Sequence, residues 1–178
     1  AGPRVLKVKV GGIAGPSEDA ARTVQLLRES GSSGSSSSSS ISSTLRLDAN
    51  QAWTMDEALQ FSAALGDAAA TGAAPAYIEE PLREARSLGK FWERSGGIVP
   101  YALDESLAMG REKFTDKLEG CAAFVVKVSV VGGLSRSARL CGLARRLGAE
   151  AVLSSAFETG VGLAHASILA SCFTTPGE

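Results

Sequence analysis

Alternating apolar and polar residues predict a strand at residues 44–48, where the chain reads TLRLD. The alternation places Arg46 and Asp48 on one face of this strand and Leu45 and Leu47 on the other. Other short apolar runs, most of which end in a charged residue, predict strands at residues 5–10, 76–79, 99–103, 123–128 and 150–155. The ends of the predicted strands therefore carry a concentration of charged side chains.

Segments with the apolar spacing of helices separate these strands. The first follows a glycine-rich loop and is predicted to be capped by Ser17 and Asp19. The others lie around residues 55–66, 83–95, 106–117, 134–147 and 162–172. Strands that alternate with helices are typical of an α/β fold with a parallel sheet. About six such units, each near the usual length of roughly 30 residues, predict a partial TIM-type (β/α) barrel, because a closed barrel has eight.

A serine-rich tract, GSSGSSSSSSISS at residues 31–43, interrupts the pattern. Such a composition cannot bury apolar surface, so we expect a flexible insert. It joins a predicted helix to the next strand, and in parallel α/β folds this connection lies opposite the ligand-binding edge of the sheet. We therefore expect a solvated insert within one partial barrel domain that spans residues 1–178.

The charge balance bears on the class of partner. Lys and Arg number 18 against 19 Asp and Glu, which gives a net charge of −1. This balance provides no overall field for nucleic acid or an anionic membrane. No apolar run approaches the roughly 20 residues that span a bilayer. We therefore expect a small-molecule ligand and neither a nucleic acid nor a membrane as partner.

The cysteines and the start of the chain bear on location. Three widely spaced cysteines suit reduced thiols in an intracellular compartment better than disulfides or a zinc site. The chain enters a strand almost at once, so we expect no targeting peptide and regard the sequence as a segment of a longer protein. Serine tracts and alanine-rich helices hint at an algal source and a plastid, whereas a bacterial source would imply the cytoplasm.

Three carboxylates, those of Asp48, Glu79 and Asp104, follow three successive predicted strands. In a barrel the ends of these strands lie at one edge, so we expect the three side chains to converge. Three converging carboxylates need a cation to remain ionised. Ligation by oxygen alone favours Mg²⁺, or alternatively Mn²⁺, over zinc. Taken singly, each carboxylate could instead cap the helix that follows it.

Lysines flank this carboxylate set on both sides. Lys7 and Lys9 are two residues apart on the first strand and therefore point to the same face, and Lys127 ends a later strand. A lysine near other positive charges has a lowered pKa and can act as a general base. This combination favours removal of a proton next to a substrate carboxylate, with a metal stabilising the anion. The first two lysines could instead be the exposed face of an edge strand.

A series of motifs resembles the barrel domain of the enolase superfamily, in its muconate-lactonizing subgroup, and most closely the o-succinylbenzoate synthases of menaquinone and phylloquinone biosynthesis. The motifs, in order, are KVKVG, LRLDANQAW, YIEEP, ALDES, VVKVSVVGG and LSSAFETGVGL. The resemblance implies that Asp48, Glu79 and Asp104 bind Mg²⁺. It also implies that Lys9 is the acid/base and that Lys127 lies on the opposite face of the substrate.

The implied reaction is a carbon–oxygen lyase step. It dehydrates 2-succinyl-6-hydroxy-2,4-cyclohexadiene-1-carboxylate to 2-succinylbenzoate. Arg46 shares a face with Asp48, and Ser154 and Ser155 end the last predicted strand, so these three are further candidates to bind substrate carboxylates. An N-acylamino acid racemase or dipeptide epimerase on the same scaffold is the main alternative. An inactive barrel fragment that serves as a scaffold is the other.

The chain departs from the family pattern in two respects. Val128 stands where the family usually has proline, which should leave Lys127 in place. The capping domain, the first barrel strand and the eighth strand are not present, so we expect them in the parent polypeptide. Two sheet edges would otherwise be unpaired, and we expect the chain expressed alone to be insoluble or inactive.

Overall fold

The computed structural model describes residues 5–31, 44–70, 74–108 and 118–173. The chain divides into two compact units, Ala1–Tyr101 and Ala102–Glu178. The flexible insert predicted at residues 31–43 lies outside the described residues, apart from Gly31, which ends the first helix. Among the described residues, no helix is both long enough and apolar enough to cross a membrane.

The first unit is built on three neighbouring parallel strands. Its elements are β1 (Val5–Lys9), α1 (Pro16–Gly31), β2 (Thr44–Asp48), α2 (Met55–Ala70), β3 (Tyr77–Glu79), a 3₁₀ helix (Ala85–Ser87) and α3 (Leu88–Arg94). β2 pairs in parallel with β1 and with β3. In the shared register Lys9 lies opposite Asp48, and Asp48 lies opposite Glu79. The last residues of all three strands therefore stand in one row.

Helix α1 starts two residues earlier than a Ser17 cap would require, because such a cap would make Glu18 the first helical residue. It begins at Pro16, a residue favoured at the first helical position, and Glu18 and Asp19 follow in its first turn. The predicted capping role of Ser17 and Asp19 is therefore wrong, since both lie inside the helix. The Asp19 carboxylate instead accepts a hydrogen bond from the Gly11 amide at 2.7 Å. This contact joins the loop after β1 to the helix.

The core of the first unit lies between the sheet and its helices. Leu47 and Ile78 of the sheet and Phe61 of α2 are fully buried. Phe61 also packs against Trp53, with ring centroids 4.6 Å apart. Trp53 follows β2 closely in the chain, so this packing anchors the loop that carries the end of β2.

The second unit contains the later strands. Its elements are the end of β4 (Tyr101–Leu103), α4 (Glu105–Ala108), β5 (Cys121–Lys127), α5 (Val128–Val131), α6 (Leu134–Arg146), β6 (Glu150–Ser154) and α7 (Gly160–Ser171). β5 and β6 are parallel, with Lys127 opposite Ser154. Phe124 on β5 is fully buried, as are Cys141 and Ala144 at helical spacing on α6.

The six strands follow one another in the sheet in chain order, β1 to β6. Sequential order is that of a (β/α) barrel, whereas a doubly wound sheet reverses direction at a switch point. The predicted fold class, a partial TIM-type (β/α) barrel of about six units, is therefore confirmed. β1 and β6 are the outermost strands of this order.

Some predicted boundaries are wrong. The helix expected at 83–95 is split into the 3₁₀ helix and α3, and Val128 begins a short helix instead of ending a strand. The helix expected at 106–117 starts as α4, and its remainder after Ala108 lies outside the described residues.

Candidate active site

The charged cluster of the first unit lies at the carboxyl ends of its three strands. Strand pairing brings Lys9, Asp48 and Glu79 together as register partners, and Lys7 lies opposite Arg46 one step earlier on the same face. The backbone continues this pairing past the strand ends, because Val10 donates to the Asp48 carbonyl at 2.9 Å. The sheet itself therefore sets the spacing of the charged groups.

The Lys7 ammonium bridges two buried carboxylates. Its Nζ lies 2.6 Å from Oε2 of Glu79 and 2.9 Å from Oδ2 of Asp48. The Glu79 and Asp48 side chains are 2 % and 1 % exposed, whereas that of Lys7 is 40 % exposed. Two like charges in such a position repel each other unless a cation is shared between them. Lys7 provides that shared positive charge.

This geometry shifts two pKa values. Burial acts to raise the pKa of Asp48, but hydrogen bonds from Lys9 and Lys7 outweigh it, so the pKa lies below its ordinary value. Burial acts to lower the pKa of Lys7, but hydrogen bonds to Glu79 and Asp48 outweigh it, so the pKa is raised. The sequence-based expectation of a lowered lysine pKa is therefore wrong for Lys7. Its nearest neighbours are carboxylates, and their effect dominates.

Lys9 is the more exposed of the two lysines. Its Nζ lies 2.6 Å from Oδ2 of Asp48 and also donates to Oδ1 of Asn50, while 65 % of its side chain is exposed. An ammonium that is held by a carboxylate and still faces solvent can reach a ligand above the strand ends.

Asn50 is a site residue that the sequence-based prediction missed. It adopts a left-handed backbone conformation with φ of 45°, and its amide donates to Oδ1 of Asp48 at 3.0 Å. Asparagine tolerates this conformation better than most residues, and its side chain readily bonds nearby groups. The DAN sequence directly after a strand was the available signal for a polar turn that returns to Asp48.

An ion pair occupies the corresponding positions of the second unit. Asp104 follows β4 and Lys127 ends β5, and Nζ of Lys127 lies 2.5 Å from Oδ2 of Asp104. The two side chains are 3 % and 21 % exposed. Both residues are thus brought together, with the carboxylate buried and the lysine partly exposed.

The donor set of the first unit suits an oxygen-ligated cation. Asp48 and Glu79 present carboxylate oxygens on either side of one positive group, the Lys7 ammonium, which stands where a metal cation would balance the same charges. Within the described ranges, no group of three or more His, Cys, Asp or Glu side chains is close enough to hold a metal ion. The third predicted ligand, Asp104, belongs to the second unit, so its role stays a prediction.

The predicted substrate-binding residues have different surroundings. The Arg46 guanidinium carbon lies 5.2 Å from the centroid of the Tyr77 ring, within cation–π range. Ser154 and Ser155 line a cavity of about 380 Å³ at the end of β6, together with Leu163 and Ser167 of α7. The structure therefore places Arg46 beside the first cluster and the two serines at an open cavity of the second unit.

Comparison with known families and sequences identifies related proteins. The family model described as enolase C-terminal domain-like matches residues 1–178. Protein PHYLLO, chloroplastic, of Arabidopsis thaliana is 34 % identical over 93 % of this chain. The o-succinylbenzoate synthase of Yersinia pseudotuberculosis is 35 % identical over 74 % of it. The match spans only 9 % of the Arabidopsis protein and 39 % of the Yersinia synthase.

Several solved structures have a fold similar to that of this chain. A dipeptide epimerase from Cytophaga hutchinsonii, complexed with Mg and a dipeptide, is 25 % identical with a TM-score of 0.71, over 95 % of this chain and 42 % of that one. The L-Ala-D/L-Glu epimerase of Bacillus subtilis is 25 % identical with a TM-score of 0.70, over 94 % and 44 %. A muconate lactonizing enzyme from Pseudomonas fluorescens, 22 % identical over 97 % and 42 % with a TM-score of 0.72, shows the fold alone.

Proposed function

Because the chain belongs to the family of enolase C-terminal domain-like proteins, we propose that it carries the acid–base centre of a Mg²⁺-dependent o-succinylbenzoate synthase. The observation that carries this proposal is the cluster of Lys7, Lys9, Asp48 and Glu79 at the ends of three adjacent strands. The 35 % identity to the Yersinia synthase supports this choice of reaction.

Lys9 is the group that moves the proton. In the proposed reaction Lys9 removes the proton next to the carboxylate of 2-succinyl-6-hydroxy-2,4-cyclohexadiene-1-carboxylate. It then returns this proton to the departing hydroxyl group, so that 2-succinylbenzoate and water leave. The exposed ammonium and its contacts to Asp48 and Asn50 support this role, because a general acid/base must be both accessible and oriented.

Asp48 and Glu79 are the proposed metal ligands in the first unit, with Asp104 as the third. When bound, Mg²⁺ supplies positive charge that stabilises the anion formed after proton removal. Lys7 balances the same two carboxylates in the absence of the metal and remains beside the site as a further positive charge. Mn²⁺ is the alternative ion, since it accepts the same oxygen ligands.

The remaining roles follow from the family resemblance. Lys127 is proposed to stabilise the anion from the opposite face of the substrate. Arg46, Ser154 and Ser155 are proposed to bind its carboxylates, a small-molecule ligand class that guanidinium and hydroxyl groups recognise. The parent polypeptide is proposed to supply the capping domain and the missing strands. A plastid location is proposed if the source is algal, in line with a relative named chloroplastic, and a cytoplasmic one if it is bacterial.

The test uses the native polypeptide that contains this chain, saturated with Mg²⁺ and supplied with the cyclohexadiene substrate. We expect absorbance of the aromatic product to appear with the unaltered protein and to be absent in Lys9→Ala. Lys90→Ala removes an exposed lysine on α3 and is the matched control, which should retain full activity. Product formation that persists in Lys9→Ala would contradict the proposed role of Lys9.

A dipeptide epimerase is the second candidate, favoured by the two epimerase structures at 25 % identity. Two lysines on opposite faces of a substrate can serve as two bases, which an epimerase requires. The same protein should then exchange the α-proton of dipeptides or N-acylamino acids with deuterium from solvent and give no aromatic product. Neither activity, together with no Mg²⁺ binding, would leave a scaffold as the remaining interpretation.

A further inference from the structure

Lys9 poses a positioning problem for the proposed reaction. Its side chain is 65 % exposed, so packing restricts it little, and only its ammonium is held, by Asp48 and Asn50. A substrate that approaches the ammonium competes with these contacts. The direction of the lysine then depends on how firmly its main chain is fixed, because proton transfer is sensitive to small displacements.

Two residues of α1 hold the main chain of Lys9 on the side away from β2. Nη2 of Arg22 donates to the Lys9 carbonyl at 2.7 Å and to Oδ1 of Asp19 at 2.8 Å. The other oxygen of Asp19, Oδ2, accepts from the amide of Gly11 at 2.7 Å. Asp19 is buried, with 3 % of its surface exposed. Both oxygens of one buried carboxylate are thus used to connect Arg22, Lys9 and Gly11.

Gly11 packs closely against the residues that follow β2. Its φ is +81°, and a Cβ added there would lie 2.5 Å from Cβ of Ala52 and 3.1 Å from the carbonyl oxygen of Ala49. Only glycine fits this close approach without displacement of the backbone. The segment that bears Asn50 and the segment that bears Lys9 are therefore in direct contact, and Asp19 binds the Gly11 amide at this contact.

We propose that Asp19 and Arg22 are positioning residues that fix the main chain of Lys9 for proton transfer. Neither residue contacts the Lys9 ammonium, and they act through its carbonyl and through Gly11. A charge-assisted bond at each end of Asp19 makes the connection stiffer than neutral bonds would. This inference rests on the proposed function, since it assigns no reaction of its own.

The test compares three variants of the native polypeptide with an exposed-arginine control. Arg22→Met should lower kcat by roughly 10- to 100-fold, with KM and Mn²⁺ affinity nearly unchanged, because the catalytic group is displaced and not removed. Asp19→Asn should accelerate hydrogen exchange at the Gly11 amide and also lower kcat. Arg22→Lys, which keeps a positive donor, should recover part of the lost kcat. Arg86→Met removes a solvent-exposed arginine that pairs with Glu84 and should change nothing.

The outcomes separate this inference from the proposed function. An active protein whose Arg22→Met variant keeps full kcat would overturn the positioning role and leave the function standing. Unchanged exchange at Gly11 in Asp19→Asn would overturn it in the same way, independently of any assay of activity. A loss that Arg22→Lys does not relieve would also overturn it. An unaltered protein that gives neither product nor α-proton exchange would refute the proposed function and this role together.

Discussion

In the first unit two buried carboxylates share the ammonium of Lys7, whereas the ion pair of the second unit joins one carboxylate, Asp104, to one ammonium, Lys127. The first arrangement follows from register, because Asp48 and Glu79 end adjacent strands as direct partners. In the second unit, Asp104 follows β4 and Lys127 ends β5, so the pair consists of one negative and one positive charge. Charged residues at strand ends therefore form a shared ion pair in the first unit and a one-to-one ion pair in the second.

The difference concerns what remains when a lysine is taken away. Without Lys7, two described ion pairs are lost, one to Glu79 and one to Asp48, while Asp48 keeps its ion pair with Lys9. Without Lys127, one ion pair is lost among the described residues, the one to Asp104. The first cluster therefore depends more strongly on a cation, whether an ammonium or a metal ion.

The largest expected effect concerns metal binding by the proposed ligands of the two units. If the proposed ligand set is right, Glu79→Gln and Asp104→Asn should each weaken Mn²⁺ binding by about 100-fold or more, since removal of a direct ligand exceeds the roughly 10- to 100-fold effect of outer residues. Mn²⁺ titration followed by electron paramagnetic resonance measures this directly. Glu93→Gln, an exposed glutamate on α3, is the control.

The Asp104→Asn variant is the more informative of the two. If Asp104→Asn binds Mn²⁺ as tightly as the unaltered protein while Glu79→Gln does not, the proposed ligand set is reduced to the first unit. The pair of Asp104 and Lys127 would then be a structural ion pair. Equal weakening in both variants would assign carboxylates of both units to the metal.

A smaller effect is expected on stability in the absence of metal. Lys7→Met should lower the free energy of unfolding by on the order of 1–2 kcal/mol, because two buried carboxylates lose their shared partner while solvent screens the half-exposed lysine. Lys127→Met should cost less, since it removes one described ion pair where Lys7→Met removes two. Urea denaturation of both variants in chelator, with Lys90→Met as the control, measures the difference.

Addition of Mg²⁺ sharpens this test. A metal that replaces the missing ammonium should return most of the stability lost in Lys7→Met, because ligand binding to the folded state raises its free energy of unfolding. Equal losses in Lys7→Met and Lys127→Met would contradict the distinction between a shared and a simple ion pair.

The positions of the strand ends could be predicted from the sequence, because they depend on the local alternation of apolar and polar residues. Alternation in TLRLD places Asp48 on a defined face, and parallel strands bring their carboxyl ends to one edge. Asp48 and Glu79 are therefore register partners, and the convergence of Asp104 with them stays a prediction. Chain-order topology follows from the same repeated units.

The pairing of those charges could not be predicted from the sequence, because it depends on atomic distances between strands. The sequence shows that Lys7 and Lys9 are neighbours, which suggested a lowered pKa, but not that Lys7 reaches both Glu79 and Asp48. The position of Asp19 was misassigned for a related reason. An acidic residue near a helix start resembles a cap, and only the tertiary contact with Gly11 shows its other use.

The smallest expected effect concerns a carboxylate that is held by neutral donors. Glu158, in the loop before α7, accepts hydrogen bonds from the Ser129 hydroxyl at 2.6 Å and from the Ala156 amide. The bond from Ser129 is the main cause of a pKa below its ordinary value. The contribution of Glu158 to stability is then complete above the unfolded-state pKa and is lost as the pH falls through the lower folded-state pKa.

The acid limb of the stability profile tests this directly. The free energy of unfolding should fall less steeply below about pH 4.5 in Glu158→Gln than in the unaltered protein, because the variant has no carboxylate to protonate. Glu119→Gln, an exposed glutamate in the turn before β5, should follow the unaltered protein. The effect should be small, since Glu158 faces solvent, which weakens its hydrogen bonds. Parallel acid limbs for all three proteins would show that the bonds from Ser129 and Ala156 do not stabilise the folded state.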